Sequence, residues 1–207
     1  MALALARAKL ARAARLLNAP FPQLPPLILM TDQTRLGDPV AAVRALPQGA
    51  AIVLRHSDAA QRAVLGERLC AIAHERGLFL LIAGDPALAA RLNCRGLHLP
   101  EARTREAAHW KALHPSWLIT AAAHSARGVG TAARSGADAV LLAPAFATLS
   151  HIARASFGVC RLRFVAQGSL VPVYALGGVN ERTVRRLAGA RLAGIAAIEA
   201  LMPDHNS

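Results

Sequence analysis

From Pro26 onward, short apolar runs alternate with Ala/Arg/Leu stretches of helical period, the pattern of repeated strand–helix units on a parallel sheet. Eight runs read as strands: 27–31, 51–55, 78–83, 96–99, 117–123, 138–143, 171–176 and 194–198. Helical stretches fill most gaps, at 39–45, 58–75, 86–92, 101–113, 125–135, 159–166 and 181–188. Ahead of them, residues 1–18 form a basic, alanine-rich segment whose period suits a helix packed on the domain through Leu3, Leu10, Leu16 and Leu17. A transit or membrane-surface helix is the weaker reading, and the Pro-rich stretch 20–26 ends the segment.

Eight strands interleaved with helices specify a single (β/α)8 TIM barrel over 26–207, preceded by an N-terminal helix and Pro-rich lead-in over 1–25. A doubly wound open sheet predicts a Gly-rich phosphate turn after the first strand, and LMTDQTRLGD has no GxGxxG. Little chain follows Leu201, so the last helix is shortened or missing. That leaves an apolar flank for the N-terminal helix, a lipid surface or a second subunit, and a homodimer is expected.

Composition narrows the function without choosing it. A net charge of +12, mostly arginine, attracts anions, but the arginines are scattered and aromatics are 4% of the chain. Nucleic-acid modules concentrate their charge and pair it with stacking aromatics, so no nucleic-acid partner is expected. Cys70, Cys94 and Cys160 are far apart and lack a CxxC pair, which argues against disulfides and zinc and fits a reducing, cytoplasmic compartment. No run reaches the ~20 apolar residues of a membrane span.

Barrel active sites form where strands end and the following loops begin. His124 follows Ala121, Ala122 and Ala123, small residues that leave room for a ligand beside the imidazole. Arg55 ends an apolar strand, so it must face an anion or a carboxylate, with Asp32, Asp85 and Glu199 as candidate partners. Gly177 and Gly178 follow the seventh strand and precede a helix near Asn180, a place for a phosphate cradle or simply a tight turn. Thr148 and His151 lie on a hydroxyl-rich, cationic loop suited to an anion. His98 alternates with Leu97 and Leu99, and one strand does not decide whether it faces the barrel interior or the helices.

These windows together resemble the thiamine-phosphate synthase and thiazole tautomerase (TenI) superfamily from Leu27 to Leu201. LMTD resembles its opening ITD, VLRHSD its QLREK, GLHLPE its GVHLGQ and AAAHS its GxSxH. GADAVLLAPAFATLSH resembles its GADYIGFGPVFPTxTK, and PVYALGGV followed by LAGIAAIEAL resembles its two phosphate-loop strands. The resemblance implies thiamine biosynthesis and a phosphorylated small-molecule ligand of the thiazole phosphate class. The synthase branch joins a pyrimidine diphosphate to a thiazole phosphate with magnesium; the tautomerase branch moves a proton on a thiazole carboxylate phosphate without metal, using a strand-5 histidine.

The synthase positions are largely altered. The glutamine and lysine of QLREK fall on Val53 and Ser57, the Asn-Asp pair after strand 3 on Ala83 and Gly84, and the second magnesium aspartate on Arg103. The GxSxH serine falls on Ala122, the TxTK lysine on His151 and the loop-8 serine on Glu199. The reading is a divergent member with a degenerate magnesium site and no cofactor. His124 is its catalytic residue, and Arg55, Thr148, His151, Gly177 and Gly178 bind substrate. A divergent synthase and a non-catalytic phosphate-ligand barrel are the alternatives.

Overall fold

The structure, a computed structural model, describes residues 2–148 and 155–202. Eight parallel strands close on themselves: β1 Leu27–Met30, β2 Ala51–Leu54, β3 Phe79–Ala83, β4 Gly96–Leu99, β5 Leu118–Ala123, β6 Ala139–Leu142, β7 Val173–Leu176 and β8 Gly194–Ala197. The ring is sealed where β1 pairs β8 through Leu27 with Ile195, Ile28 with Ala196 and Leu29 with Ala197. All eight expected strands are present, each trimmed by at most two residues.

Around the ring lie α1 Ala2–Leu17, α2 Pro39–Arg44, α3 Ala59–Arg76, α4 Pro86–Arg91, α5 Ala107–Leu113, α6 Ala126–Arg134 and α7 Gly158–Gly168. Their starts carry the expected chemistry: Asp38, Asp58, Asp85 and Ser125 cap α2, α3, α4 and α6 by accepting backbone N–H groups of the first turn. The stretch 101–113 divides into a 3₁₀ helix, Glu101–Glu106, and α5. The helix expected over 181–188 is absent; only a 3₁₀ turn, Val184–Leu187, stands there. The side chain of Asn180 accepts from the N–H groups of Arg182 and Thr183, which ties the segment into a local turn before a helix can nucleate.

No α-helix follows β8 among the described residues, only a 3₁₀ turn, Glu199–Leu201. The N-terminal helix takes that place. It packs on β8, β1 and both late 3₁₀ turns, and Arg7 Nη1 donates to the Met202 carbonyl at 2.9 Å. Leu10, Ala14 and Leu17, spaced one helical turn apart, form its buried face. Leu16, expected in that face, points outward at 71% exposure, because it is a hundred degrees round the helix from Leu17. The flank on which the expectation of a second subunit rested is thus covered by the chain itself.

Strand alternation gives two cores. Leu27, Leu29, Ile52, Leu54, Ile82 and Leu97 face the helices, while Ile28, Met30, Val53, Leu81, Leu141 and Tyr174 fill the barrel. The lead-in closes the floor with Phe21 and Leu24, and the Tyr174 hydroxyl donates to the Pro25 carbonyl at 2.7 Å. His98 faces inward. Its Nδ1 lies 2.9 Å from Thr120 Oγ1 on the neighbouring strand, and burial, aided by the positive charge of Arg55, lowers its pKa from 6.5 to about 4.

Two outcomes are expected. In denaturant unfolding, Leu10→Ala should cost about 2–4 kcal/mol and Leu16→Ala less than about 0.5 kcal/mol; equal costs would remove α1 from the core. For His98, the unfolded chain binds a proton between pH 6.5 and 4 that the native state refuses. Stability should therefore fall as pH drops through that window, by roughly 3 kcal/mol when complete. Asp32 and Glu106, whose carboxyls are held low by Arg35 and Arg103, lose their contributions only below the ordinary carboxylate range. Urea midpoints from pH 7 to 4.5 should flatten in His98→Gln, and an unchanged slope would contradict the assignment.

Candidate active site

The barrel interior is graded from end to end. Bulky Phe79, Leu118 and Tyr174 stand near the strand starts, while four of the inward residues near the strand ends are alanines: Ala83, Ala122, Ala143 and Ala196. The difference opens a cavity of about 810 Å³ at the carboxyl ends of the strands, within the range of small-molecule sites. Of the three alanines before His124, only Ala122 shapes this cavity; Ala121 and Ala123 pack among the helices.

Arg55, His124, Thr148, Gly177 and Gly178 all line this cavity, so five of the six expected site residues converge. His151 lies outside the described residues. His98, Glu101, Arg35 and Glu199 line it as well. The inward face of His98 was hidden because both faces of a parallel barrel strand are apolar. Glu101 carried no signal beyond its place just after a strand.

Asp32 answers the question of what Arg55 faces. One of its carboxylate oxygens is shared by the Nη2 atoms of Arg55 and Arg35, the latter at 2.9 Å, and the other accepts from Thr34. The Arg35 hydrogen bond, foremost, holds this carboxyl far below its usual range. Thr31 Oγ1 fixes the strand ends by accepting from the Arg55 N–H at 2.8 Å. The result is a pair of guanidinium groups anchored on one side of the mouth.

His124 has a defined tautomer. Its Nδ1 lies 3.0 Å from the carbonyl oxygen of Ala143, and a carbonyl only accepts, so Nδ1 carries a hydrogen. In the neutral ring Nε2 then holds the lone pair. The backbone N–H of His124 donates to Glu101 Oε1 at 3.2 Å, tying the strand-5 end to the strand-4 loop.

Gly177 and Gly178 have φ of +91° and +66°. A Cβ on Gly178 would sit 2.7 Å from the Ala147 carbonyl oxygen, so the loop after β7 packs against the loop after β6 in a way that excludes side chains. The glycines accordingly form a tight turn whose backbone lines the cavity. The helix N-terminus expected beyond them is the short Asn180 turn instead.

The positions that the resemblance assigns to magnesium do not suit a cation. Arg103 Nη1 donates to the Gly84 carbonyl at 2.7 Å, and its other nitrogens grip both oxygens of Glu106 at 2.7 Å. Neighbouring Asp85 is committed to Arg62 at 2.7 Å and to capping α4. Side chains committed in this way offer no free carboxylate oxygens to a divalent cation. Among the described residues, no three His, Cys, Asp or Glu side chains converge to hold a metal.

Comparison with known proteins agrees with this architecture. A protein of Geobacter sulfurreducens whose thiamine-phosphate synthase name is provisional is 30% identical over 185 residues, spanning 86% of this chain and 87% of its own. The thiamine-phosphate synthase of Alcanivorax borkumensis is 28% identical over 189 residues, covering 88% and 87%. The structure of thiamine phosphate pyrophosphorylase from Pyrococcus furiosus superposes with a TM-score of 0.71 at 23% identity, over 86% of this chain and 88% of that one, and supports the fold. The family model described as thiamine monophosphate synthase matches residues 27–201, the whole barrel, and the chain therefore belongs to that family as a divergent member.

Proposed function

We propose that this barrel, within a superfamily of thiamine biosynthesis, catalyses a metal-independent proton transfer on a thiazole carboxylate phosphate, with His124 as the proton-carrying group. The observation that carries the reading is the His124 tautomer. With Nδ1–H held by the Ala143 carbonyl, the Nε2 lone pair is the basic site of a ring that lines the cavity. Nε2 takes a proton from one carbon of the ligand and returns it at another. The C–H bond broken and the C–H bond formed balance, and no external acceptor is required.

Arg55 and Arg35 supply positive charge on the side of the mouth formed by β1 and β2, where the ligand's anionic group is best placed. Glu199 lines the cavity on the β8 side, and its carboxylate disfavours an anion there. Thr148 adds a hydroxyl near the Gly177 turn.

The relatives' names favour a second reading, the magnesium-dependent condensation of thiazole phosphate with pyrimidine diphosphate. Against it stand Arg103 on the Gly84 carbonyl and the commitment of Asp85 to Arg62.

The test follows isomerisation of thiazole carboxylate phosphate alongside calorimetric binding. His124→Ala should lower turnover about 10²–10⁴-fold while ligand affinity is largely kept, and chelators should leave the wild-type rate unchanged. Chelator-sensitive formation of thiamine phosphate from the two synthase substrates would establish the second reading. Tight binding without turnover by the wild type would leave a binding barrel.

A further inference from the structure

We propose that His98 is a second catalytic group of this cavity, a neutral imidazole whose Nε2–H donates to the ligand oxygen that gathers negative charge while His124 holds the proton. The assignment rests on the proton-transfer reading above and adds the group that stabilises the charge.

Three observations lead to it. The first is direction: Leu97 and Leu99 are buried among the helices, so His98 between them turns inward, and it lines the cavity that His124 also lines. The second is its partner. His98 and Thr120 are paired in register across β4 and β5, and Nδ1 lies 2.9 Å from Thr120 Oγ1.

Thr120 is fully buried, and no other group among the described residues pairs with its hydroxyl. Leaving that O–H without an acceptor would cost about 1–3 kcal/mol. It therefore donates to Nδ1, which makes Nδ1 the unprotonated nitrogen and puts the ring hydrogen on Nε2. Nε2 has no partner among the described residues, and it is absent from the side-chain atoms that are both sealed and unpaired. The ring's one remaining donor therefore opens on the cavity.

The third is charge. Burial, first, and the nearby Arg55, second, disfavour the imidazolium, so His98 enters the reaction neutral and does not compete with His124 for the proton. The two rings are held in opposite tautomers. His124 presents a lone pair and His98 presents an N–H.

Such a pair fits a carbon acid whose charge can delocalise onto oxygen. When His124 Nε2 removes the proton, the C–H electron pair moves into the conjugated ring and toward its carboxylate or carbonyl oxygen. His98 shortens its hydrogen bond to that oxygen and transfers nothing. As the proton returns at the second carbon, the pair returns with it. A preorganised donor in a site screened from water is worth about 10²–10³ in rate.

The test uses the full chain with ¹⁵N-labelled histidine and long-range ¹H–¹⁵N correlation spectra, the His98 signals being identified by their loss in His98→Gln. The expected pattern is a neutral Nε2–H ring at pH 6 to 8, with mixed tautomers in the near-isosteric Thr120→Val. In turnover of thiazole carboxylate phosphate, His98→Ala should lower kcat by about 10²–10³ with little change in KM, and His98→Gln, which keeps an N–H donor, should recover part of it. An Nδ1–H ring, or an unchanged kcat in His98→Ala, overturns the proposal in a protein that does turn over. Absence of turnover in the wild type overturns the proton-transfer reading itself and the catalytic role of His98 with it, even where the Nε2–H tautomer is found.

Discussion

The pairing of β8 with β1 is the constraint on which everything else in this molecule rests. A parallel sheet of eight strands has two edges, and each edge exposes unpaired N–H and C=O groups that only the other can satisfy without a partner chain. The ring leaves no room for side chains at two places, one at the seal and one between β4 and β5. A Cβ on Gly194 would collide with the Pro26 carbonyl, and one on Gly96 with the Leu118 carbonyl, so both strands begin with the residue that lets neighbouring backbones close up. Pro26 also accepts the Ile195 N–H, which makes the lead-in part of the closure. Only because the ring is shut do Arg55, His98 and His124, from three different strands, share one cavity.

Closure alone would give a filled barrel, and the distribution of side-chain size turns it into a vessel. Tyr174 and the lead-in residues Phe21 and Leu24 fill the floor, while alanines at four strand ends keep the mouth empty. The polar groups that survive inside are those with a partner to hold them. Thr120 satisfies His98, the Ala143 carbonyl satisfies His124, and Asp32 satisfies two arginines. Each of these pairings also fixes an orientation, so the cost of burying a polar group and the aiming of a functional group are met by the same contact.

Much of this was legible along the chain. The strands stand out because each apolar run is short, bounded by Gly, Pro or Asp and repeated at barrel spacing. Five candidate residues fall on one cavity because the strand ends of a barrel and the loops after them gather at one mouth. What stayed hidden depended on the third dimension. The leucines of α1 are too many to single out one face, so Leu16 was placed with Leu10 although only Ala14 and Leu17 share its side. The stretch 181–188 has helical composition, but Asn180 and Thr183 spend their side chains on the backbone that a helix would need. Arg55 had three acidic candidates, and only packing selects Asp32. His98 could not be oriented at all until a second strand fixed the parity.

The packing of α1 beside β8, where no α-helix follows among the described residues, carries a consequence for the order of events at the ribosome. Much of its docking surface, β8 and the turn after it, is synthesised some 180 residues behind the helix that covers it. Until then the apolar stripe of Leu10, Ala14 and Leu17 has β1 beside it but lacks β8 and the late turns, and the barrel has two open edges. The contacts that finish the fold are thus among those of greatest sequence separation, the class that is slowest to form. During translation, this amphipathic helix and the unsealed sheet are the surfaces on which a holding chaperone would act.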